Sequence, residues 1–277
     1  MNTPKKQHYI PKFWLKNFTN NSEKIFLWNK RDALNEIRDY SITEAFSQNY
    51  LNSYIDDHEN KDHSLEHEFA TLDDEISIIF NKIIIPNMEK GLTPEISDQQ
   101  KKSLDLFMYQ QRSRAPEAFD DLLTDNVYEK FIDDSIQADR ESGIEISDLE
   151  EAEIKSEKTK KRIQQNAKVQ ARSQKNSMTV KLFNRMSVGI SPIIKNNKSY
   201  IIGSQPIAEI IYGNGLGFWV PISPKYCITY LHSNNKITIL PPHTDDYIRK
   251  INLKIYKQSI VSGSHSKILL SSLINSK

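Results

Sequence analysis

The segment His63–His67 carries the pattern His-x-x-Glu-His, whose residue types could bind a metal ion or move a proton. On a helix, His63 and His67 lie one turn apart and could share a zinc ion, with Glu66 beside them as a general base. The segment lies near a predicted helix start, and His58 marks a polar, histidine-rich stretch. A solvated helix face explains the pattern better, so we assign no metal ligand, and the sequence identifies no cofactor.

Other candidate motifs are weaker. Gly213–Gly217 reads Gly-x-Gly-x-Gly, which lacks the spacing and the strand-to-helix context of a dinucleotide-binding loop. Ser223 and Cys227 have neither a neighbouring histidine nor the sharp turn that exposes a nucleophile. We therefore predict that neither side chain is an activated nucleophile.

The middle of the chain holds two segments of opposite charge. Residues 120–153 carry 13 acidic and two basic side chains, whereas residues 155–185 carry ten basic side chains and one acidic. The basic segment contains no glycine or proline, which favours one long helix. Its cations recur on one helix face, called here the basic stripe. The stripe contains Lys155, Lys158, Lys161, Arg162, Lys168, Arg172 and Lys175.

The basic stripe has two interpretations. An exposed stripe would contact nucleic-acid phosphates, and binding would weaken steeply as salt rises. A stripe that pairs with the acidic segment, through Asp133, Asp134, Glu150 or Glu151, would bind little nucleic acid, because those carboxylates offset its charge. The stripe carries no aromatic side chains, which argues against base stacking on it.

The composition sets limits on the class of protein. Lys and Arg number 37 and Asp and Glu 36, so the formal net charge of +1 disfavours a generally basic, nucleic-acid-coating protein. Hydrophobic residues make up 38% of the chain and charged residues 26%, which predicts a folded core rather than disorder. The single cysteine, Cys227, and the absence of a long apolar run predict a soluble cytoplasmic protein without a membrane contact.

The N-terminal two-thirds is predicted to be mainly helical. Residues 7–18 suggest a short helix with Pro11 as its first helical residue, and residues 25–28 suggest a short strand. Apolar residues spaced by three and four predict a helix from Leu65 to about Pro86. A second helix is predicted to begin after an N-cap at Ser97 and to end near Arg114, with a third after it.

The C-terminal third is predicted to form β-hairpins and a last helix. One hairpin would join residues 190–195 to 199–203, and another would join 225–231 to 236–240, before a helix at 244–259. We therefore predict an α+β fold with a helical N-terminal two-thirds and a long charged helix, packed on a small antiparallel β region near the C-terminus. Residues 1–277 would form one family domain, with a helical part at 1–189 and a β part at 190–277.

Six short stretches give the chain a family resemblance. The N-terminal run His-Tyr-Ile-Pro-Lys-Phe-Trp-Leu-Lys-Asn-Phe resembles the opening signature of the bacterial domain-of-unknown-function family 4238, and the other stretches follow in the family's order. The matching stretches are His8–Phe18, Asn49–Tyr50, Leu65–Glu66 with Leu72–Asp73, Gln111–Pro116, Phe218–Pro224 and Ile251–Asn252. The resemblance implies no established activity. Gln7, and the run Ser204-Gln205-Pro206, depart from the family pattern, which would make this an altered or inactive member if those positions carry chemistry.

The resemblance selects His8, Glu66 and Arg114 as candidate catalytic residues, because each lies on a matching stretch. Histidine exchanges protons near neutral pH, glutamate can act as a base, and arginine can bind a phosphate with two parallel hydrogen bonds. The alternative is a buried polar network that holds the N-terminal segment to the first helices. We expect a nucleic-acid-acting hydrolase of the defence or conflict type if these side chains converge in a cleft. The other candidate is a non-enzymatic protein-binding module that uses the acidic and basic segments.

Overall fold

The computed structural model of the chain describes residues 5–175, 177–212, 215–232 and 235–276. These residues fall into two compact units, each assembled from separate pieces of the chain. Unit 1 contains residues 1–7, 49–68 and 116–174, and unit 2 contains residues 8–48, 69–115 and 175–277. No helix within the described residues is long and apolar enough to cross a membrane.

Strands and helices occur mostly in successive groups along the described residues. The described strands are β1 (Lys6–His8), β2 (Lys24–Asn29), β3 (Arg38–Ser41), β4 (Ser47–Asn49), β5 (Tyr54–Ile55), β6 (Lys61–Asp62), β7 (Ser187–Pro192), β8 (Ile202–Gly203), β9 (Ala208–Tyr212), β10 (Gly215–Pro221), β11 (Tyr226–Leu231), β12 (Ile237–Ile239) and β13 (Val261–Ser264). The described α-helices are α1 (Lys12–Lys16), α2 (Ser64–Ile78), α3 (Ile85–Glu89), α4 (Asp98–Arg114), α5 (Asp125–Glu141), α6 (Asp148–Ile154), α7 (Glu157–Ser173), α8 (Ser177–Asn184), α9 (Asp245–Gln258) and α10 (Lys267–Ile274). A π-helical turn at Ile79–Ile84 joins α2 to α3.

Unit 1 is built mainly from helices α5, α6 and α7. The buried side chains of α5 are Tyr128, Ile132 and Ile136, whose spacing of four places them on one face of the helix. Serine residues are the N-caps of α6 and α7. Ser147 forms a capping box with Glu150, and the Ser156 hydroxyl accepts a hydrogen bond from the Thr159 backbone amide. The short strands β5 and β6 pair antiparallel in the same unit.

Unit 2 contains two larger sheets. One has five strands in the order β12-β7-β11-β10-β9, in which β12 and β7 are parallel and the other neighbours are antiparallel. The other has four strands in the order β3-β2-β13-β8. In this sheet Phe26 of β2 lies opposite Ser264 of β13. Strands from both ends of the chain therefore form one sheet.

Several predicted elements are confirmed. Ser97 is the N-cap of α4 and forms a capping box with Gln100, as its position before the helix predicted. The strand at 25–28 corresponds to β2, and Thr244 caps α9 through a hydrogen bond from the Tyr247 amide. In the N-terminal segment Pro11 is the N-cap of α1 and not its first helical residue.

The chain is α+β, but the predicted arrangement is wrong. Six described strands lie in the first 62 residues, so the N-terminal two-thirds is not simply helical. The C-terminal β region is not small, since a five-stranded sheet lies there and one of its strand pairs is parallel. The long charged helix is also interrupted: α7 ends at Ser173, and α8 begins a separate helix at Ser177.

Candidate functional site

The N-terminal motif is part of the core of unit 2. Trp14 and Phe18 are completely buried, which confirms that this segment is held in the fold. The Trp14 indole Nε1 donates a hydrogen bond of 3.0 Å to the Pro221 carbonyl, so the motif is tied to strand β10. Its ring also meets Phe80 and Phe107, with centroids 5.8 and 5.7 Å away.

Arg114 is buried in unit 2 against an acidic partner and two aromatic rings. Its Nη1 lies 2.7 Å from the Asp73 Oδ1, and its guanidinium lies 4.2 Å from the Phe69 ring centroid. Gln111, one turn earlier on α4, donates a 2.7 Å hydrogen bond to the Tyr9 carbonyl. The Gln-x-x-Arg spacing places both side chains on one helix face, from which Gln111 binds the N-terminal segment and Arg114 binds α2.

His8 also lies in unit 2, beside the residue that Gln111 binds. Its Nε2 is 3.0 Å from the Ile42 carbonyl oxygen, and its side chain is half-buried. The link from Tyr9 through Gln111 brings the segments of His8 and Arg114 together in this unit.

Glu66 belongs to a polar network in unit 1. The Asn52 Nδ2 donates a 2.8 Å hydrogen bond to the Glu66 Oε2. Gln7 accepts a hydrogen bond from the Asn52 backbone amide through Oε1 and donates one to the Ser53 hydroxyl through Nε2. Gln7 and Ser53 are completely buried, so this part of the network is structural.

The three candidate catalytic residues are therefore distributed over both units. His8 and Arg114 are placed by unit 2, and Glu66 is placed by unit 1. Each takes part in polar contacts of its own unit, the arrangement expected of a structural network. Their convergence in one cleft stays a prediction.

The first histidine of the His-x-x-Glu-His pattern, His63, makes structural contacts within unit 1. The His63 Nδ1 lies 2.8 Å from the Ser53 hydroxyl, and its ring stacks on Tyr50 at a centroid distance of 6.3 Å. His67 and Glu66 follow on α2. Among the residues that the structure describes, no group of three or more His, Cys, Asp or Glu side chains is arranged to hold a metal ion.

Most cations of the predicted basic stripe form ion pairs within unit 1. Each distance joins a basic nitrogen to a carboxylate oxygen, and several of the carboxylates come from the acidic segment. The pairs are Lys155–Asp133 at 2.7 Å, Lys155–Glu151 at 2.8 Å, Lys158–Glu59 at 2.7 Å, Arg162–Asp57 at 2.6 Å and Lys168–Asp120 at 2.9 Å. These pairs offset much of the positive charge that a phosphate backbone would require.

Arg172 does not belong to an exposed stripe. It is 1% exposed, and its Nη1 donates a 3.0 Å hydrogen bond to the Leu51 carbonyl. Burial lowers the pKa of its guanidinium to about 10. The prediction that Arg172 contacts nucleic acid is therefore wrong, because the helix turns this side chain into unit 1. Lys161 is exposed on the same helix, and Lys175 follows the helix end.

Unit 2 contains a pocket that the sequence motifs did not indicate. This aromatic pocket has a volume of about 700 Å³, and its walls include Trp219, Tyr230, His232, Pro241, His243 and Tyr247. It lies between the ends of strands β10 and β11 and the chain that leads into α9. A Cβ on Gly217 would come within 2.9 Å of the Trp219 Nε1, so a glycine on this wall leaves room for the indole.

Three rings form one wall of the aromatic pocket. The His243 ring centroid lies 4.5 Å from that of Trp219 and 4.8 Å from that of Tyr247, and the last two are 5.3 Å apart. Each pair meets edge to face, the geometry that aromatic quadrupoles favour. His243 directly precedes Thr244, the N-cap of α9, and Tyr247 lies in the first turn of the helix. The helical spacing rule therefore does not cover this pair, and no sequence signal indicates Trp219 either.

His243 is held neutral. Burial lowers its pKa to about 4, and its Nδ1 lies 2.6 Å from the Tyr200 hydroxyl. Burial raises the pKa of the Tyr200 phenol, so this phenol keeps its proton. We assign the hydrogen of this contact to Tyr200, with His243 Nδ1 as acceptor. The imidazole hydrogen then lies on Nε2, the donor that His243 can offer to a ligand.

The lowered pKa of His243 predicts a pH dependence of stability. An unfolded histidine takes up a proton below about pH 6.5, whereas the folded His243 resists protonation down to about pH 4. The contribution of neutral His243 to the free energy of unfolding is therefore fully present above about pH 6.5 and is lost as the pH falls from there to about 4. Thermal unfolding should show a smaller loss of Tm over this range in His243→Gln than in the wild type. Equal losses in both proteins would contradict the assignment.

Cys227 lies at the core of the five-stranded sheet. It is completely buried, and burial raises the pKa of its thiol well above the ordinary value. A protonated, inaccessible thiol does not act as a nucleophile.

The comparisons with known proteins identify the family. The family model described as "Protein of unknown function (DUF4238)" matches residues 6–262, which is nearly the whole chain. None of the curated proteins and none of the solved structures shows significant similarity to it. With a match of this extent, the chain belongs to the DUF4238 family.

Proposed function

We propose that unit 2 binds a small, flat heteroaromatic molecule in the aromatic pocket. The observation that carries this proposal is the wall of Trp219, His243 and Tyr247 beside a cavity of about 700 Å³. Ligand pockets of this size are typically apolar, with a few polar groups that fix orientation. The rings supply apolar contact area, and His243 supplies a neutral hydrogen-bond donor.

The burial of the wall supports a preformed site. Trp219 and Tyr230 are almost completely buried, and the Tyr230 ring stacks on Phe183 at a centroid distance of 4.5 Å. The Tyr230 hydroxyl donates to the buried Asp105 at 2.8 Å, so this side chain is held at both its ring and its hydroxyl. A ligand that enters such a pocket would lose little binding energy to the ordering of side chains.

Nucleosides are suitable probes, because each carries a flat ring with hydrogen-bonding edges. We would titrate the protein with adenosine, guanosine, cytidine and uridine, and follow binding by calorimetry and by tryptophan fluorescence. At least one nucleoside should bind, and Tyr247→Ala should weaken its binding roughly 5- to 150-fold, the usual effect of removing one stacking ring. In Trp219→Phe, the fluorescence change on binding should disappear.

The matched control is Tyr54→Ala, which removes a partly exposed tyrosine from unit 1. Its affinity should equal that of the wild type. The proposal fails if no nucleoside binds, or if Tyr247→Ala and Tyr54→Ala bind equally well.

The nucleic-acid-acting hydrolase is a second candidate. It is supported by Arg114, whose Nε and Nη2 are buried and make no hydrogen bond within the described residues, and by the Gln111 link to the segment of His8. A guanidinium with two unused donors is suited to an anion. The ion pairs of the basic stripe weigh against strong nucleic-acid binding by unit 1, and also against a protein partner that needs free charge there.

Substitution of Glu66 by glutamine tests this second candidate. Glutamine keeps an oxygen that can accept the hydrogen bond from Asn52, so the fold should remain intact while a general base is lost. If the chain is a hydrolase, Glu66→Gln should abolish cleavage of mixed-sequence DNA or RNA, and Glu68→Gln on the same helix should not. Equal rates in the wild type and Glu66→Gln would assign Glu66 to structure alone.

A further inference from the structure

We propose that the ligand of the aromatic pocket is a nucleotide, whose phosphate lies in a second, positively charged pocket of unit 2. This inference rests on the proposed function, since it extends the same site. The second pocket, called here the cationic pocket, has a volume of about 330 Å³. Its charged lining consists of Lys101, Lys102, Arg185, Lys236 and Asp98.

The two pockets adjoin. Met186 lines both of them. Leu231 of the aromatic pocket lies opposite Ser187 of the cationic pocket in the β11–β7 pairing. A molecule with a ring in one pocket and a charged group in the other would pass over Met186.

A buried polar cluster connects the two pockets beneath this point. The Lys101 Nζ lies 2.6 Å from the Asp105 Oδ1, which also accepts the Tyr230 hydroxyl hydrogen bond. The same Nζ lies 5.2 Å from the Tyr230 ring centroid. Tyr230 belongs to the aromatic pocket and Lys101 to the cationic pocket, so both pockets are built on one rigid set of contacts.

The charge of the cationic pocket favours an anion. Four of its side chains are cationic and one, Asp98, is anionic. Asp98 forms an ion pair with Lys236 at 2.7 Å, and the buried Asp105 offsets the charge of Lys101. Lys102 and Arg185 are exposed, and neither forms one of the ion pairs found within the described part of the chain, although the charge of Asp98 also acts on Lys102. The pocket therefore has two cations available to a ligand.

The chemistry of these groups fits a phosphate. Arginine presents planar, forked donors that match phosphate oxygens, and lysine adds a compact positive charge. The amides of Asn184 and Asn235 also line the cationic pocket. A phosphate joined to a flat heteroaromatic ring through a sugar is a nucleotide, and both parts of that molecule have a matching pocket here.

The test compares nucleosides with their 5′-phosphates. For the base that binds best, the 5′-monophosphate and 5′-diphosphate should bind at least about tenfold more tightly than the nucleoside at low salt, the usual effect of a hydrogen bond to a charged group. This advantage should shrink as the salt concentration rises. Arg185→Gln and Lys102→Gln should each remove most of the advantage while the affinity for the nucleoside stays unchanged.

Lys257→Gln is the control, because this lysine lines a different groove beside α9. It should bind the nucleotide as the wild type does. Equal affinities for nucleoside and nucleotide would overturn the inference and leave the proposed function standing. The inference also fails if the nucleotide binds more tightly but Arg185→Gln and Lys102→Gln keep that advantage, since the phosphate would then lie elsewhere. If neither nucleoside nor nucleotide binds, the proposed function fails as well.

Discussion

Replacement of Trp14 by alanine is expected to lower the free energy of unfolding by about 3–5 kcal/mol. The indole is completely buried between the Phe80 and Phe107 rings, so its removal leaves a cavity of aromatic size in unit 2. The Pro221 carbonyl would also lose its hydrogen bond from the indole nitrogen. Urea denaturation, followed by far-UV circular dichroism, measures the change.

Two further variants separate the sources of this effect. Trp14→Phe keeps an aromatic ring but loses the hydrogen bond, and it should destabilise unit 2 less than Trp14→Ala does. Lys12→Ala, an exposed position on the same helix, should change the free energy of unfolding by at most about 0.5 kcal/mol. A Trp14→Ala protein as stable as Lys12→Ala would show that the motif does not support the core.

Lys101→Met is expected to lower the free energy of unfolding by about 3–5 kcal/mol, because it leaves the Asp105 carboxylate buried without its cation. Burial already raises the pKa of Asp105, and loss of Lys101 should raise it further. Protonation removes the buried charge. The destabilisation should therefore be smallest at acidic pH and should grow as the pH rises through the pKa of Asp105.

Denaturant unfolding over a pH series measures this effect. Lys102→Met changes the exposed neighbour of Lys101 and should have little influence on stability at any pH. The double variant Lys101→Met/Asp105→Leu should be less destabilised than the sum of the single changes, since no buried charge remains. A Lys101→Met penalty independent of pH would contradict the role assigned to this pair.

Local signals in the sequence predicted local structure well. Ser97 and Thr244 were identified as helix starts because a side-chain cap depends only on the next few residues. Pairing between strands was predicted poorly. The segments 225–231 and 236–240 were expected to form a hairpin, but β11 and β12 both pair with β7 and not with each other. A short linker suggests a hairpin, whereas the energy of the whole sheet decides the pairing.

The same limit applies to the candidate site. The aromatic wall combines Trp219, from one strand, with His243 and Tyr247, which lie more than 20 residues later. No spacing rule connects such positions, because the fold alone brings them together. The prediction that Arg172 contacts nucleic acid is wrong for a related reason. The helical period places Arg172 on the cationic face, but it does not predict the hydrogen bond of Arg172 to the Leu51 carbonyl.

The pairing of β2 with β13 has a consequence for the synthesis of the protein. Phe26 of β2 pairs with Ser264 of β13, so β2 lacks this neighbouring strand until the ribosome has made more than 230 further residues. At roughly 5–20 residues per second, β2 waits on the order of ten to fifty seconds with one edge unpaired. An open strand edge can pair with another nascent chain. We therefore expect the newly made chain to depend on chaperones during translation more than the stability of the finished fold would suggest.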